Sequence, residues 1–335
     1  MDHSTVQSQY SKSKVIITGG LGFIGSNLAA ALVDMGAEVT LVDSLIPEYG
    51  GNLFNIHQIA DRVTVNISDV RDVHSMKYLI QGKDYLFNLA GQTSHNDSMA
   101  DPYPDLDINA RAQLSIAEAC RHFNPTIKSV FASTRQIYGK PERLPVDENH
   151  PIRPVDVNGI NKVAGEWYHK LYHDVYGIRT SILRLTNTYG PCMRVCDARQ
   201  TFLGIWLRRI VEGEPFLIYG DGEQIRDFNY VDDVVQALLL CGASEKANGQ
   251  VFNLGAEDPM SLTDTARTLQ AISPNCRFEY IPFPPERKVI DIGDYYGDYR
   301  KIRSLLGWKP KIDLKEGLKR SLDYYLINYR QYWRT

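Results

Sequence analysis

The sequence predicts an α/β fold in which a doubly wound parallel sheet carries a smaller, discontinuous α/β lobe. Three observations predict this class. An apolar, β-branched strand at 15–18 runs directly into a glycine-rich turn and a helix start. Strand and helix patterns then alternate to about residue 186, which is typical of a parallel sheet covered by helices on both faces. From residue 187 onward the alternation breaks down, so a second and less regular part is expected.

The turn after the first strand carries the strongest local signal. Gly19, Gly22 and Gly25 follow strand 15–18 at a three-residue spacing, and helix-forming residues begin at Ser26. In the Rossmann arrangement such glycines allow a tight turn, a close approach of pyrophosphate to the backbone, and close packing of helix on strand. The free N–H groups and partial positive charge of the helix start also favour phosphate. We therefore predict a dinucleotide-binding site here.

Acidic residues at the ends of the next strands refine this prediction. Strand 38–42 ends at Asp43, which follows Gly25 at about the spacing of a carboxylate that binds the adenine ribose. A carboxylate accepts a hydrogen bond from a ribose 2′-OH and repels a 2′-phosphate, so NAD is favoured over NADP. Asp69, after strand 63–67, has two interpretations: it contacts the adenine amino group, or it is a helix N-cap.

The rest of the chain continues the alternation. Further strands are predicted at 85–89, 129–132, 180–185 and 251–254, and helices at 26–32, 104–122, 157–176, 202–212 and 230–240. We assign residues 13–186 and about 228–256 to an NAD-binding domain. Residues 187–227 and 257–335 are assigned to a substrate lobe over the carboxyl edge of the sheet, with the substrate in the cleft between. Residues 1–12 are expected to be a frayed tail.

Composition and charge exclude several classes of function. The 335 residues are 43% hydrophobic and 23% charged, which supports a sizeable folded core. The net charge is −3 without any basic block, so no nucleic-acid partner is expected. No apolar run is long enough to span a membrane, and the start of the chain lacks a signal-like segment. Five scattered cysteines predict reduced thiols and a cytoplasmic location, and no metal site is expected.

Taken together, these features identify a family resemblance that covers nearly the whole chain. The chain resembles the extended short-chain dehydrogenase/reductase family, and within it the NAD-dependent nucleotide-sugar epimerases, dehydratases and decarboxylases. The matching motifs, in chain order, are TGGLGFIG at 18–25, Asp43, DVRD at 69–72, LAG at 89–91, Ser133-Thr134 with IYG at 137–139, NTYGP at 187–191, RDF at 226–228, VDD at 231–233 and LGWKP at 306–310.

The resemblance implies a mechanism and also exposes a departure from it. In similar enzymes a Tyr-x-x-x-Lys pair removes a sugar hydroxyl proton while hydride passes to NAD, and a Ser or Thr donates a hydrogen bond to the same oxygen. Lys162 matches the lysine, but the position four residues earlier is Asn158. An amide cannot serve as a phenolate base, although it can bond to a substrate oxygen. The predicted catalytic residues are Ser133, Thr134, Asn158 and Lys162.

Three interpretations of Asn158 stay open at this point. In the first, catalysis proceeds with another base, and the candidates are Lys162 itself, Tyr138, Cys192 and His95. In the second, the chain binds NAD and a nucleotide sugar without the standard oxidation, for example as a partner or regulatory subunit. In the third, activity is lost. For Tyr138 and Cys192 packing is the alternative role, for His95 plain solvation, and for Lys162 a solvated helix surface.

The resemblance also implies the ligand contacts. Cofactor-binding residues are predicted to be Gly19, Gly22, Phe23, Ile24, Gly25, Asp43, Asp69, Val70, Leu89, Ala90 and Lys162. The substrate, a nucleotide-diphosphate sugar, is predicted to contact Thr134, Asn187, Arg226 and Arg287, with Arg194 and Arg199 as looser candidates for a sugar carboxylate or phosphate.

Two residues and two helices refine this prediction further. Arg135 and Gln136 stand where dehydratases have Asp-Glu and decarboxylases have Glu, so an epimerase-type enzyme is favoured over those alternatives. Helices 104–122 and 157–176 are often the dimer face of similar proteins, so a homodimer is predicted.

Overall fold

The computed structural model describes residues 3–333, and its centre is a seven-stranded, fully parallel sheet. The strands are β1 (Lys14–Thr18), β2 (Glu38–Asp43), β3 (Val63–Ile67), β4 (Tyr85–Asn88), β5 (Lys128–Thr134), β6 (Arg179–Leu185), β7 (Asn187–Tyr189), β8 (Phe216–Tyr219), β9 (Ile225–Arg226), β10 (Phe228–Tyr230), β11 (Val251–Asn253), β12 (Met260–Ser261) and β13 (Phe278–Ile281). Strands β7 to β10, β12 and β13 form three separate two-stranded sheets.

The order of strands in the large sheet determines where a ligand can bind. The order is β11-β6-β5-β4-β1-β2-β3, so the chain moves outward from β1 to β3 and then returns to the other side of β1. Crossovers from β1 and from β4 therefore leave in opposite directions. In doubly wound sheets this switch point opens a crevice at the carboxyl ends of the two strands.

Helices cover both faces of the sheet and build the second part of the molecule. They are α1 (His3–Tyr10), α2 (Phe23–Asp34), α3 (Val73–Leu79), α4 (His95–Ala100), α5 (Pro102–Leu106), α6 (Ala112–Phe123), α7 (Val157–Tyr176), α8 (Phe202–Glu212), α9 (Val231–Ala243), α10 (Leu262–Ile272), α11 (Pro285–Lys288), α12 (Arg300–Leu306) and α13 (Leu314–Asn328). None of the helices within residues 3–333 combines the length and apolar character needed to cross a membrane.

Most predicted elements are confirmed within a few residues. Helices 157–176 and 202–212 have the predicted bounds, and the strand at 251–254 joins the large sheet beside β6. The helix predicted at 104–122 is three consecutive segments, because a π-helical turn at Asp107–Arg111 separates α5 from α6. Such a turn inserts one residue into the helical ladder, an adjustment that often occurs at functional sites.

The prediction of a frayed tail at 1–12 is wrong for its described residues. Residues 3–10 form α1, and Val6 and Tyr10 are buried in the main core. The Tyr10 hydroxyl donates a 2.7 Å hydrogen bond to the carbonyl oxygen of Leu239 in α9. Because Val6 and Tyr10 are the buried residues of this helix, its apolar periodicity is weak, and packing on α9 stabilises it. Residues 1 and 2 lie outside the described part.

Candidate active site

A single cavity opens at the carboxyl edge of the large sheet, where the switch point lies. Every residue that the sequence analysis assigned to cofactor, catalysis or substrate lines this cavity. They come from elements far apart in the chain: Gly19, Gly22, Phe23, Ile24, Gly25, Asp43, Asp69, Val70, Leu89, Ala90, Ser133, Thr134, Asn158, Lys162, Asn187, Arg226 and Arg287. The looser candidate Arg199 also lines it, whereas the lining residues do not include Arg194, whose guanidinium pairs with Asp197 at 2.6 Å.

The glycine turn fits a dinucleotide because no side chain fills it. Gly19 has φ +69°, and a Cβ there would lie 3.0 Å from the backbone nitrogen of Ala90. A Cβ at Gly25 would collide with the carbonyl oxygen of Gly19. Helix α2 begins after Gly22, and no side chain caps its first turn. The residues of that turn line the cavity, and the free N–H groups of a helix start favour a bound pyrophosphate.

The two acids beside the turn are held differently. The Asp43 carboxylate accepts hydrogen bonds from the backbone N–H groups of Leu21 (3.0 Å) and Leu45 (2.9 Å). Burial raises the pKa of Asp43, although these bonds partly oppose the rise. Asp69 pairs with the Arg71 guanidinium at 2.6 Å, and Asp72 caps helix α3. The helix-cap interpretation of Asp69 is therefore wrong, and its contact with adenine stays a prediction.

Lys162 lies inside the cavity wall and not on a helix surface. Its side-chain nitrogen donates a 3.1 Å hydrogen bond to the carbonyl oxygen of Ala132 and lies 5.0 Å from the centre of the Phe131 ring. Burial lowers the pKa of the ammonium group to about 8, and the nearby carboxylate of Asp105 opposes this shift. Lys162 can therefore exchange a proton near neutral pH or carry a charge beside the cofactor.

Asn158 is buried one helical turn before Lys162, and protein acceptors occupy its amide hydrogens. Its Nδ2 donates to the Gln92 carbonyl oxygen at 2.9 Å and to the Asp105 carboxylate at 2.8 Å. Its Oδ1 accepts no hydrogen bond from residues 3–333 and belongs to a residue that lines the cavity. The side chain is therefore fixed as an acceptor for a ligand O–H or N–H group.

The two hydroxyl residues at the end of β5 are in different states. The Ser133 hydroxyl is buried and has no hydrogen-bond partner within the described residues. The Thr134 hydroxyl accepts the N–H of Gln136 at 3.2 Å and so caps the short turn at 135–138. Both hydroxyl groups can therefore donate a hydrogen bond to a ligand. For the buried Ser133 hydroxyl, such a bond would satisfy a group that has no partner among the described residues.

The structure distinguishes between the alternative bases named from the sequence. Tyr138 is fully buried, bonds to Asn253 at 2.7 Å and packs under the loop, and burial raises its pKa to about 12. Cys192 lies 3.5 Å from the Tyr324 hydroxyl and is absent from the cavity wall. His95 does line the cavity. Plain solvation does not describe it, because its ring pairs with a buried carboxylate, that of Asp156.

Basic side chains cluster at the far end of the cavity. Arg226 is buried, lies 3.4 Å from Asp291, and has its pKa lowered to about 10 by burial and by the neighbouring Arg135. One guanidinium nitrogen of Arg135 donates to Asn187 at 2.9 Å, and the other, Nη1, is buried without a partner. Arg287 bonds to the Tyr219 hydroxyl at 3.1 Å. Neighbouring cations and a free buried N–H indicate an anion-binding region.

Three residues of this site were not singled out as site residues from the sequence: Asp105, Asp156 and Arg135. Asp105 is fully buried and accepts hydrogen bonds from Asn158 and Asn161, each at 2.8 Å. A polar residue just before the apolar pattern of α7 indicates a helix cap. The local sequence therefore predicts Asp156 as a cap but does not predict its contact with His95. For Asp105 and Arg135 no local signal exists, because their partners lie more than 50 residues away.

Comparisons with known proteins agree with this geometry. The profile of the NAD dependent epimerase/dehydratase family matches residues 15–255. A putative UDP-glucose 4-epimerase of Methanocaldococcus jannaschii is 34% identical over 317 residues, which cover 94% of this chain and 99% of that protein. The structure of UDP-glucose 4-epimerase from Thermotoga maritima with UDP-glucose aligns with a TM-score of 0.86 at 30% identity, covering 94% of this chain and 99% of that one. UDP-glucuronic acid 4-epimerase from Bacillus cereus, in complex with UDP-glucuronic acid and NAD, aligns with a TM-score of 0.83 at 27% identity, covering 93% and 98%.

These similarities confirm the doubly wound α/β fold, NAD as the cofactor, and an NAD-dependent nucleotide-sugar epimerase-type enzyme. They extend over nearly the full length of this chain and of each relative. The glycine turn, the buried lysine and Arg226 lie inside the matched range, whereas the cavity residue Arg287 lies beyond it. The chain belongs to the NAD dependent epimerase/dehydratase family.

Proposed function

We propose that this enzyme inverts one carbon of a nucleotide-diphosphate sugar by transient oxidation, with NAD at the glycine turn and the sugar beside Asn158 and Lys162. The observation that carries the proposal is the single cavity, which joins the dinucleotide turn to the buried lysine and then to the basic cluster. Relatives named UDP-glucose 4-epimerase and UDP-glucuronic acid 4-epimerase support a UDP-sugar as the first substrate to test.

Each part of the cavity has a role in this proposal. Gly19, Gly22 and Gly25 hold the pyrophosphate of NAD, and Asp43 accepts a hydrogen bond from the adenine ribose. Bound NAD⁺ supplies the hydride acceptor. Lys162 places a positive charge beside the nicotinamide ribose and the reacting oxygen. We also propose the division into a cofactor-binding domain, 13–186 with about 228–256, and a substrate lobe made of the rest from residue 187.

The substrate contacts follow from the hydroxyl and basic residues. Ser133 or Thr134 donates a hydrogen bond to the reacting sugar oxygen, and Asn187, Arg226 and Arg287 bind the diphosphate. A diphosphate offers several charged acceptors, which compensates the desolvation of buried guanidinium groups.

Two other functions remain alternatives to be tested. A binding protein or regulatory subunit without turnover is consistent with Asn158 in place of tyrosine. A decarboxylase or 4,6-dehydratase is less supported, because Arg135 and Gln136 provide no carboxylic acid next to Thr134.

Measurements of turnover and of the ligand retained by the purified protein distinguish these functions. We expect the purified protein to release NAD on denaturation and to interconvert at least one pair of epimers from a panel of UDP-, dTDP- and CDP-sugars. We expect Lys162→Ala to abolish that turnover. Binding of NAD and of sugar nucleotides with no product across the panel would favour the binding protein, and full activity of Lys162→Ala would refute the placement of the site.

We further propose a homodimer built on α6 and α7. One face of α7 exposes Ile160, Trp167, Leu171 and Val175, which are 50–62% accessible. Apolar side chains repeated at this spacing on a solvent-facing helix favour a partner surface. Light scattering is expected to give twice the chain mass, and Trp167→Glu to give a folded monomer. A cytoplasmic location, which fits five free cysteines, is also proposed and is testable by cell fractionation.

A further inference from the structure

The fixed amide of Asn158 raises the question of where the substrate proton goes. Oxidation of a sugar hydroxyl to a carbonyl breaks its O–H bond, and the proton must pass to a group with a lone pair. Both amide hydrogens of Asn158 are held by Gln92 and Asp105, and its oxygen is a negligible base. Residue 158 can therefore orient the hydroxyl group but cannot accept its proton.

A second titratable group lies next to Asn158 in the same cavity wall. His95 begins helix α4, and this helix is docked on the start of α7, because the hydroxyl of Ser98 accepts the backbone N–H of Asn158 at 3.2 Å. The Nδ1 atom of His95 is buried and lies 2.9 Å from Asp156 Oδ2, an ion-pair contact that is not aligned as a hydrogen bond. The ring is 37% exposed, and its Nε2 has no partner in residues 3–333. The open edge of the imidazole is thus the Nε2 edge.

The partner carboxylate is built to stay ionised. The side chain of Asp156 is fully buried and accepts hydrogen bonds from the backbone N–H of Gly159 at 2.7 Å and from the Gln136 amide at 2.9 Å. Burial acts to raise the pKa of Asp156, but the bonds from His95, Gly159 and Gln136 outweigh it and lower the pKa overall. An ionised carboxylate beside Nδ1 favours the tautomer that carries its proton on Nδ1 and has a lone pair on Nε2.

The charged groups around the ring leave this pairing intact. Asp97, on the same helix as His95, is paired with Arg199 at 2.9 Å. Among the described residues, His95 is the only ion-pair partner of Asp156. This pairing also explains why position 136 carries an amide. The Gln136 amide donates a hydrogen bond to Asp156, whereas a carboxylate at position 136 would repel the Asp156 carboxylate.

We infer that His95, oriented by Asp156, accepts and returns the substrate proton in this active site. The inference rests on the proposed function. As the sugar C–O bond becomes a carbonyl, the O–H bond breaks and its proton passes to Nε2. The hydrogen on the same carbon would leave with its electron pair, for which NAD⁺ held at the glycine turn would be the acceptor. When that pair returns to the opposite face of the carbonyl, Nε2 gives its proton back to the oxygen, so neither proton nor electrons are left over.

The first test removes the basic imidazole but keeps a polar side chain of similar length. We expect His95→Gln to lower kcat for the epimerisation found with the sugar panel by about 10²–10⁴-fold, the usual range for a general base. NAD content and the Kd of UDP-glucose, measured by calorimetry, are expected to change less than threefold. His57→Gln is the matched control, because His57 stacks on Phe54 and does not line the cavity.

The second test locates the ring without using turnover. Diethyl pyrocarbonate modifies the free imidazole nitrogen, and mass spectrometry can follow modification of His95 in the NAD-loaded protein. We expect saturating UDP-glucose to slow modification of His95 at least tenfold and to leave His57 unaffected. Equal modification with and without the bound sugar nucleotide would overturn the inference, because His95 would then lie away from the substrate.

A third test distinguishes a positioning role of Asp156 from a purely structural one. Asp156→Asn keeps an oxygen for the Gly159 N–H, and so keeps the helix cap, but removes the charge. Because the imidazole is then no longer oriented by a charge, Asp156→Asn is expected to lower kcat and to leave the KM for the sugar nucleotide nearly unchanged. An unchanged kcat in both Asp156→Asn and His95→Gln would overturn the inference and point to Lys162 instead. If the parent protein turned over no sugar nucleotide, the proposed function itself would fail.

Discussion

The buried charge of Lys162 predicts that the active-site lysine destabilises the protein at neutral pH when no nucleotide is bound. A fall in pKa from 10.5 to about 8 corresponds to roughly 3 kcal/mol of unfavourable free energy for the charged form in the folded state. Replacing the side chain by methionine removes this cost but also loses the hydrogen bond to Ala132, worth about 1 kcal/mol. We therefore expect Lys162→Met to stabilise the nucleotide-free protein by about 2 kcal/mol at pH 7.

The size of this stabilisation changes with pH. Between the folded-state pKa of about 8 and the unfolded-state value near 10.5, the unfolded chain binds more protons at Lys162 than the folded one. The stability of the parent protein therefore rises with pH across this window relative to that of the variant. We expect the advantage of Lys162→Met to shrink by roughly 2 kcal/mol between pH 7.5 and 9.5.

Urea unfolding of both proteins, stripped of nucleotide and measured at several pH values, is the appropriate assay. Taking the difference between the two proteins cancels the titration of all other groups. Lys319→Met serves as the matched control, because Lys319 is exposed on α13 and its replacement is expected to change the free energy of unfolding by less than about 0.5 kcal/mol. A stability difference that does not vary with pH would refute the assignment of a buried, charged Lys162.

Three further predictions test other parts of the molecule. Gly25→Ala is expected to lose retained NAD and about 1–3 kcal/mol of stability, because its Cβ would collide with the Gly19 carbonyl oxygen; nucleotide release and urea unfolding measure the two effects. Tyr10→Phe is expected to cost about 1 kcal/mol by removing the hydrogen bond to the Leu239 carbonyl oxygen, and an unchanged midpoint would contradict the docking of α1. Arg135→Met is expected to weaken UDP-sugar binding about 10–100-fold in calorimetry with NAD content unchanged, since its free guanidinium nitrogen faces the anion-binding region.

The large sheet was predictable because its signals are local. Strand β1, for example, is buried from Val15 to Thr18 and begins with a continuous apolar run, whereas the edge strand β3 is only partly buried. The glycines around the first turn are required by backbone contacts within a few residues and one neighbouring strand. Helix α1 was missed because its own sequence favours no fold strongly, and its stability comes from α9, more than 200 residues away.

The positions of the site residues were predictable from the sequence, but the contacts between their side chains were not. The residues predicted to bind the cofactor or substrate or to take part in catalysis line the cavity, apart from the looser candidate Arg194, since parallel strands bring their carboxyl ends to one edge. The pair of His95 and Asp156, by contrast, joins a loop after β4 to the cap of α7 across 61 positions. Nothing in either local sequence distinguishes a solvated histidine or a plain cap from a coupled pair. Such a pair is recognised only when the fold brings the two side chains together.

Asp105 gives a physical reason for an amide at position 158. This carboxylate is fully buried, has hydrogen bonds from Asn158 and Asn161, and acts on Lys162 from nearby. A tyrosine at 158 would have to ionise next to an existing buried negative charge, which would raise its pKa and make it a poor base. An amide avoids this repulsion and satisfies the carboxylate with one of its hydrogens. Asn158 and Asp105 therefore complement each other as donor and acceptor. The same repulsion favours a base that is neutral before it accepts a proton. His95 is such a base, and it has Asp156 as a separate counter-ion.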